Sequence, residues 1–236
     1  MGVSINLTQK KQLCLDLDCA VRFSFSNYVG SEDIISAMLK AFEGRDEYRF
    51  VFLYGHSSTG KTHLLKAASQ FLLDAGKRVM YIDFSRLNKL TPDLIQGLWG
   101  MDLVCLDNIE CVSGIKFWEE ALFNLFNQLS EHKKPLFVSG NNPPHLIGFS
   151  LPDIQTRLCS GVIFKLLELE DEFKLAIMRQ RALELGLDLS DSVANYVLNK
   201  YSRDLKSLVA KVEFIVDKFL IINKKPTVAL LKKAGV

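Results

Sequence analysis

The sequence predicts an α/β domain built on a five-stranded parallel sheet, followed by a smaller domain of helices alone. Three observations carry this reading. Between about residues 49 and 166, apolar stretches of strand length alternate with segments of helical spacing. Parallel strands need crossover connections, usually helices, so the alternation argues for a parallel sheet covered on both faces. The stretch Gly55-His56-Ser57-Ser58-Thr59-Gly60-Lys61-Thr62 fits G-x-x-x-x-G-K-[ST] at every fixed position and lies between a strand-like and a helix-like run, the setting a phosphate-binding loop requires. From about residue 168 onward no strand-like run follows. The expected division is a tail over 1–24, an α/β domain over 25–167 and a helical domain over 168–236.

The elements follow in order. In the tail, Gln12-Leu13-Cys14-Leu15-Asp16-Leu17 alternates leucines with smaller or polar residues. That pattern suits a short edge strand or a flexible start, and equally a linear peptide that docks its leucines in a partner's groove. Ser31 with Glu32 and Asp33 reads as an N-cap and acidic first turn for a helix over 31–43. A strand at 49–54 leads into the phosphate loop, and a helix at 61–75 leaves it, with Gly76 as the stop. Strands are expected at 78–83, 102–107, 135–139 and 162–166. Pro92 opens a short helix over 92–98, and Pro152 opens another that carries Arg157. The helix over 115–131 turns Phe117, Trp118, Ala121, Leu122, Leu125, Phe126 and Leu129 toward the core. The second domain reads as helices over 170–185, 190–200, 203–222 and 227–233, with Gly186 ending the first and Ser190 capping the second.

The chemistry concentrates at the tips of the strands. Gly55 and Gly60 let the backbone turn tightly against phosphate oxygens. The loop N–H groups make an anion-binding concavity at the positive end of the next helix. Lys61 is placed to reach the β- and γ-phosphates, and the Thr62 hydroxyl to ligate Mg²⁺. Asp107 ends the third strand, where such proteins hold the Mg²⁺ through water. The next residue is Asn108, and an amide cannot take a proton from water; weak self-hydrolysis is therefore expected. Glu110 substitutes only if the backbone twists between the two positions. Asn141, beyond the fourth strand, is either a γ-phosphate sensor or plain turn chemistry before Pro143-Pro144. Arg157 and Arg203 read, in isolation, as surface ion-pair residues. The four histidines have no metal-ligand spacing, and no nucleophile elbow is present.

Composition narrows the class. A chain of 236 residues with 48% hydrophobic and 24% charged residues reads as a globular protein with a full core. A net charge of +2 gives no basic face by itself. Five cysteines without a C-x-x-C pair argue against a disulfide framework and for a reduced, cytoplasmic setting. The N-terminus has no signal-peptide pattern, and no apolar run is long enough to span a membrane.

Together these pieces resemble the DnaA-related AAA+ family, and within it the regulatory inactivators of DnaA. Gly60-Lys61-Thr62-His63-Leu64-Leu65 looks like that family's phosphate loop. The run Leu103-Val104-Cys105-Leu106-Asp107-Asn108-Ile109-Glu110-Cys111, with Trp118-Glu119, Pro143-Pro144, Leu151-Pro152-Asp153 and Arg157-Leu158, carries the closer similarity. The resemblance implies an AAA+ α/β domain and a helical lid with ADP or ATP and Mg²⁺ between them. It puts Arg157 on the arginine-finger position, Arg203 on the lid's sensor arginine and Asn141 on the first polar sensor. It sets Tyr28, Val29 and Gly30 near adenine, with His63 beside the phosphate loop. It lays Gln12, Leu13, Leu15 and Leu17 on a peptide that docks on the replication sliding clamp, although Cys14 and Asp16 replace the usual Pro or Ser between the leucines. The partners implied are ATP-bound DnaA and the clamp (the β subunit of DNA polymerase III), and the role is that of a replication inhibitor. Because the chain ends at Val236, soon after the lid, direct sequence-specific DNA binding is not expected. Whether copies of the chain assemble is left open.

Two readings compete. In one, the nucleotide sets this molecule's shape and Arg157 acts on ATP held by DnaA. In the other, the chain is an autonomous ATPase or loader that hydrolyses its own ATP. A nucleoside or small-molecule kinase fits less well, since no acceptor pocket with a base is visible.

Overall fold

The computed structural model describes residues 23–221 and 225–233. Five strands, β1 (Phe50–Tyr54), β2 (Val79–Asp83), β3 (Leu103–Asp107), β4 (Leu136–Gly140) and β5 (Val162–Lys165), form one sheet in the order β2-β3-β4-β1-β5. Every neighbouring pair is parallel. Helix α1 (Glu32–Phe42) precedes β1; the crossovers use α2 (Lys61–Asp74), α3 (Lys116–Glu131) and α4 (Pro152–Leu158), while β2 and β3 are joined through 3-10 turns alone. The five-stranded parallel sheet expected from the alternation is present.

The two-residue period of the strands sorts the core onto two faces. Val51, Leu53, Leu103, Cys105 and Phe137 pack beneath α1 and α2 with Met38, Leu64, Leu65 and Ala68. Phe52, Val104, Leu106, Leu136 and Val138 pack on the opposite face with Trp118, Leu122, Leu125 and Phe126 of α3 and with Ile154 and Leu158 of α4. The Cys105 thiol lies wholly buried against Ser69 and the Leu65 carbonyl, and burial pushes its pKa up to about 12. It is therefore a small apolar filler.

Three sequence expectations are corrected. The helix over 92–98 is a pair of 3-10 turns, Pro92–Ile95 and Leu98–Gly100, because Gly97 between them takes φ +74° and breaks the spiral. Phe117 is 59% exposed; it lies in the first turn of α3 on the side away from the buried Trp118, which packs on the sheet. Ser31 and Ser190 stand at cap positions with extended backbone, but neither side chain makes the capping hydrogen bond.

A second core follows β5. Helices α5 (Asp171–Glu184), α6 (Asp191–Lys200), α7 (Leu205–Ile221) and α8 (Val228–Lys233) bury Met178, Val193, Val197, Leu208, Val212, Ile215 and Leu231 together. Arg181 of α5 is 5% exposed and pairs with Glu213 of α7 at 2.7 Å, tying the two longest helices of this domain.

Candidate functional site

Parallel topology brings the C-terminal ends of all five strands to one edge, and the chemistry-bearing residues collect there. Gly55 leaves β1 so close to the chain after β5 that a Cβ there would lie 2.4 Å from the Leu166 carbonyl oxygen. Gly60 takes φ +96° as the cap of α2, and a side chain on it would collide with the Tyr28 ring. Ser58 also takes the left-handed conformation, and Thr59 is buried with its hydroxyl donating to the His56 carbonyl at 3.0 Å. These bends wrap residues 55–60 around the N-terminus of the 14-residue α2, whose unpaired N–H groups and dipole favour an anion.

Lys61 is 6% exposed and its ammonium donates to the carbonyls of Gly55 and His56 at 2.6 and 2.7 Å. Burial lowers its pKa, while the Glu110 and Asp107 carboxylates work the other way. Asp107 is 1% exposed, yet its carboxylate accepts three hydroxyl hydrogen bonds. Thr62 donates at 2.7 Å, Tyr81 at 2.6 Å, and Ser139 donates from β4. A hydroxyl and a buried carboxylate in contact, one residue from a lysine, fit Mg²⁺ on a nucleoside polyphosphate; these are hard oxygen donors that leave most positions to water and phosphate. Among the described residues no cluster of three or more His, Cys, Asp or Glu forms a separate metal site.

Asn108 takes φ +59°, so the chain turns sharply as it leaves β3. Its amide donates to Asp83 at 2.8 Å and its N–H to Ser139 at 3.1 Å. The turn meets the condition set for Glu110. Its half-buried carboxylate accepts from the Asn141 N–H at 3.3 Å, and burial raises its pKa against the pull of that bond and of Lys61. Asn141 is exposed, and it is its backbone that reaches Glu110. The β4 side chain that touches Asp107 is Ser139. The His63 side chain is engaged by the segment before α1: its ring meets the Ser24 carbonyl at 3.0 Å and packs on Phe23 and Tyr28.

Tyr28, Val29 and Gly30 line an open cleft of about 520 Å³ with Leu169 and Phe173, and a smaller cavity beside it reaches Thr59 of the loop. The apolar walls sit one loop away from the phosphate-binding turn, where a base belongs if the phosphates lie on α2.

A family described as the bacterial DnaA ATPase domain matches residues 21–165, and one described as the Hda lid domain matches residues 171–234. The chain belongs to the bacterial DnaA ATPase-domain family. Solved structures agree on the fold. Domain III of Thermotoga maritima DnaA is 21% identical, covers 88% of this chain and 92% of that one, and has a TM-score of 0.73. AMPPCP-bound DnaA from Aquifex aeolicus is 24% identical over 82% of this chain, with a TM-score of 0.67. The present chain spans 64% of that DnaA structure. The Thermotoga maritima RuvB branch-migration motor shares the architecture at 16% identity over 90% of this chain and 70% of that one, with a TM-score of 0.65.

Arg157 projects exposed from α4, whose Ile154 and Leu158 are buried, and it forms no ion pair among the described residues. The buried Glu119 of α3 holds the approach to α4, accepting from the N–H groups of Gly114, Ser150 and Leu151 at 2.7–3.0 Å. Arg203, 65% exposed, pairs with Asp171 at the start of α5 at 3.3 Å. The lid residue that touches the phosphate loop is its neighbour, Asp204, which accepts from the Ser58 hydroxyl with one oxygen and from Ser207 at 2.9 Å with the other. Sequence reasoning missed Asp204, Tyr81 and Ser139. Their partners lie 146, 26 and 32 residues away. The only signal for Asp204 was an acid directly before an apolar helix. Gln12, Leu13, Leu15 and Leu17 lie outside the described residues.

Proposed function

We propose that this chain is a nucleotide-held regulator of replication initiation that supplies an arginine to ATP bound by DnaA. The observation that carries the reading is Arg157: an exposed guanidinium without an ion pair among the described residues, on a short helix whose approach is fixed by the buried Glu119. An arginine so presented reaches outward, to charge on another molecule. There it stabilises negative charge building on the γ-phosphate as the bond to the β-phosphate breaks, which is worth about 10³ to 10⁵ in rate. The chain's own site supports a holding role. In this reading Lys61, Thr62 and Asp107 retain a nucleotide with Mg²⁺, supported by the Thr62–Asp107 contact, while the residue after Asp107 is an amide engaged with Asp83. The bound nucleotide, ADP in this reading, links the phosphate loop to the lid. The Asp204 carboxylate beside that loop disfavours further negative charge there, which agrees with ADP over ATP. Docking of residues 12–17 on the sliding clamp completes the proposal and would bring the regulator to DnaA on DNA.

The test measures phosphate release from ATP-loaded DnaA with clamp-loaded DNA, adding the wild-type chain, Arg157→Ala or Arg157→Lys. Stimulation lost in both variants, with nucleotide affinity of the chain unchanged, is the expected result. Full stimulation by Arg157→Ala overturns the assignment. Leu15→Ala with Leu17→Ala is expected to lose clamp binding alone.

One observation favours the second reading, an autonomous ATPase. The left-handed turn at Asn108 brings Glu110 into the field of Lys61 and Asp107, and burial raises its pKa toward that of a working base. Turnover by the purified chain alone that disappears in Glu110→Gln would establish it.

A further inference from the structure

One face of the lid carries a feature that the nucleotide site does not use. Between Lys200 and Val236 nine lysines and arginines stand against three carboxylates, in a chain whose net charge is only +2. Four of these lysines alternate with three rings across α6, α7 and α8. Lys232 lies 5.8 Å from the Tyr196 ring, and Lys200 lies 5.3 Å from Tyr196 and 5.6 Å from Tyr201. Lys211 lies 4.5 Å from Tyr201 and 5.1 Å from Phe214, and Lys218 is 4.6 Å from Phe214. The result is a continuous stripe of ammonium groups, each resting over an aromatic face.

The local carboxylates do not neutralise it. Glu213 is taken by Arg181 at 2.7 Å, and Asp204, which keeps its charge, accepts from Ser58 and Ser207 and pairs with none of the four lysines. Asp217 remains exposed on α7, and none of the four lysines forms an ion pair among the described residues. A free lysine on a surface loses side-chain entropy when it is fixed on an anion. Here each ammonium lies within about 6 Å of at least one ring centroid and is held by that ring, so part of that ordering is complete before any ligand arrives. Because the ring faces are covered by ammonium groups, they are poorly placed to stack on bases. What the stripe offers is spaced point charges.

We propose that this lid stripe binds the sugar–phosphate backbone of duplex DNA without reading its sequence. Lysine point charges suit phosphate oxygens and carry no base preference. Charge complementarity favours a polyanion with regularly spaced charges over a single acidic side chain. The inference stands apart from the nucleotide reading and from the role given to Arg157.

The test uses the full chain and a fluorescently labelled duplex of roughly 20 base pairs of arbitrary sequence, followed by anisotropy across a salt series. The expected result is weak binding whose log–log salt slope is about −3 to −4, near −0.9 for each phosphate neutralised. Each Lys→Gln change at 200, 211, 218 or 232 should reduce the slope by about 1. The fourfold variant should lose at least about tenfold in affinity while melting at the wild-type temperature. Lys40→Gln with Lys116→Gln, on the α/β domain, should leave the slope unchanged. Phe214→Ala should weaken binding while keeping the slope, because it removes a platform and no charge. The proposal is overturned if the fourfold variant binds like wild type, if the control pair weakens binding as much, or if only an acidic polypeptide and not the duplex competes for the stripe.

Discussion

At the strand tips, the functional groups are buried and bonded to their neighbours: Lys61 to two loop carbonyls, and Asp107 to three hydroxyls. On the lid side the corresponding groups are less covered, with the exposed Arg203 on Asp171 and the partly buried Asp204 on Ser58. Exposed pairs are worth about 0 to 1 kcal/mol, whereas stranding a buried polar group costs several times that. The α/β site is therefore built in advance and keeps its shape whatever binds, while the lid is set by a few weak bonds. A nucleotide that contacts both needs only a small difference in affinity to decide where the lid rests. The contrast teaches how one fold holds a rigid binding surface next to an adjustable one.

The most damaging change to the rigid side should be Glu119→Ala. It leaves the Gly114, Ser150 and Leu151 N–H groups without their acceptor, at a cost of about 3 kcal/mol or more. Urea unfolding measures the loss. At temperatures where the variant stays folded, stimulation of DnaA hydrolysis should still fall, since α4 and Arg157 lose their brace. Lys61→Ala comes next. Nucleotide affinity should drop roughly 100-fold, the scale of one or two charge-assisted hydrogen bonds, as read by calorimetry. Asp204→Ala tests the adjustable side and should matter less. It removes the cap of α7 at about 1 kcal/mol and should change ADP affinity by only a few-fold, while Asp204→Asn keeps the cap and removes the charge. An Asp204→Ala effect as large as that of Lys61→Ala would erase the distinction between the two regions.

How much of this was legible beforehand follows the same line. Strands, helices and their chain order could be read because period and turn residues are local: Gly76 and Gly186 both take positive φ where the helices were expected to stop. Gly55–Thr62 and Asp107 stood out because a phosphate loop and a strand-end acid are short motifs. The order β2-β3-β4-β1-β5 could not be read, since it depends on which strands meet across separations of 24 to 111 residues. Without that order, nothing in the sequence places Ser139 and Tyr81 on Asp107. The turn at Asn108 was hidden for another reason: a left-handed asparagine has no signature that separates it from an extended one.

The smallest expected effect is also the one that separates the two regions by pH. His63 lies on α2 among Phe23, Tyr28 and the Ser24 carbonyl, and burial lowers its pKa from the ordinary 6.5, with the Ser24 bond and the Glu184 carboxylate opposing. The unfolded chain then takes up the proton first as pH falls, so stability declines from about pH 6.5 down through the folded value and is unaffected above it. Asp204 has the opposite sense: its bond from Ser58 and its Ser207 bonds hold its pKa below 3.8, so its contribution is complete above that value and disappears only as pH drops through the folded one. Melting curves across pH should show a shallow decline below 6.5 that His63→Gln flattens, and a separate decline in the carboxylate range that Asp204→Asn flattens. The first belongs chiefly to the rigid side and should change little when ADP is added, since the lid acts on it only through the opposing Glu184 carboxylate of α5. The second belongs to the lid and should shift when ADP is added, because the nucleotide and the Ser58 bond act on the same closure. A single transition common to both variants would mean that lid and core respond as one body.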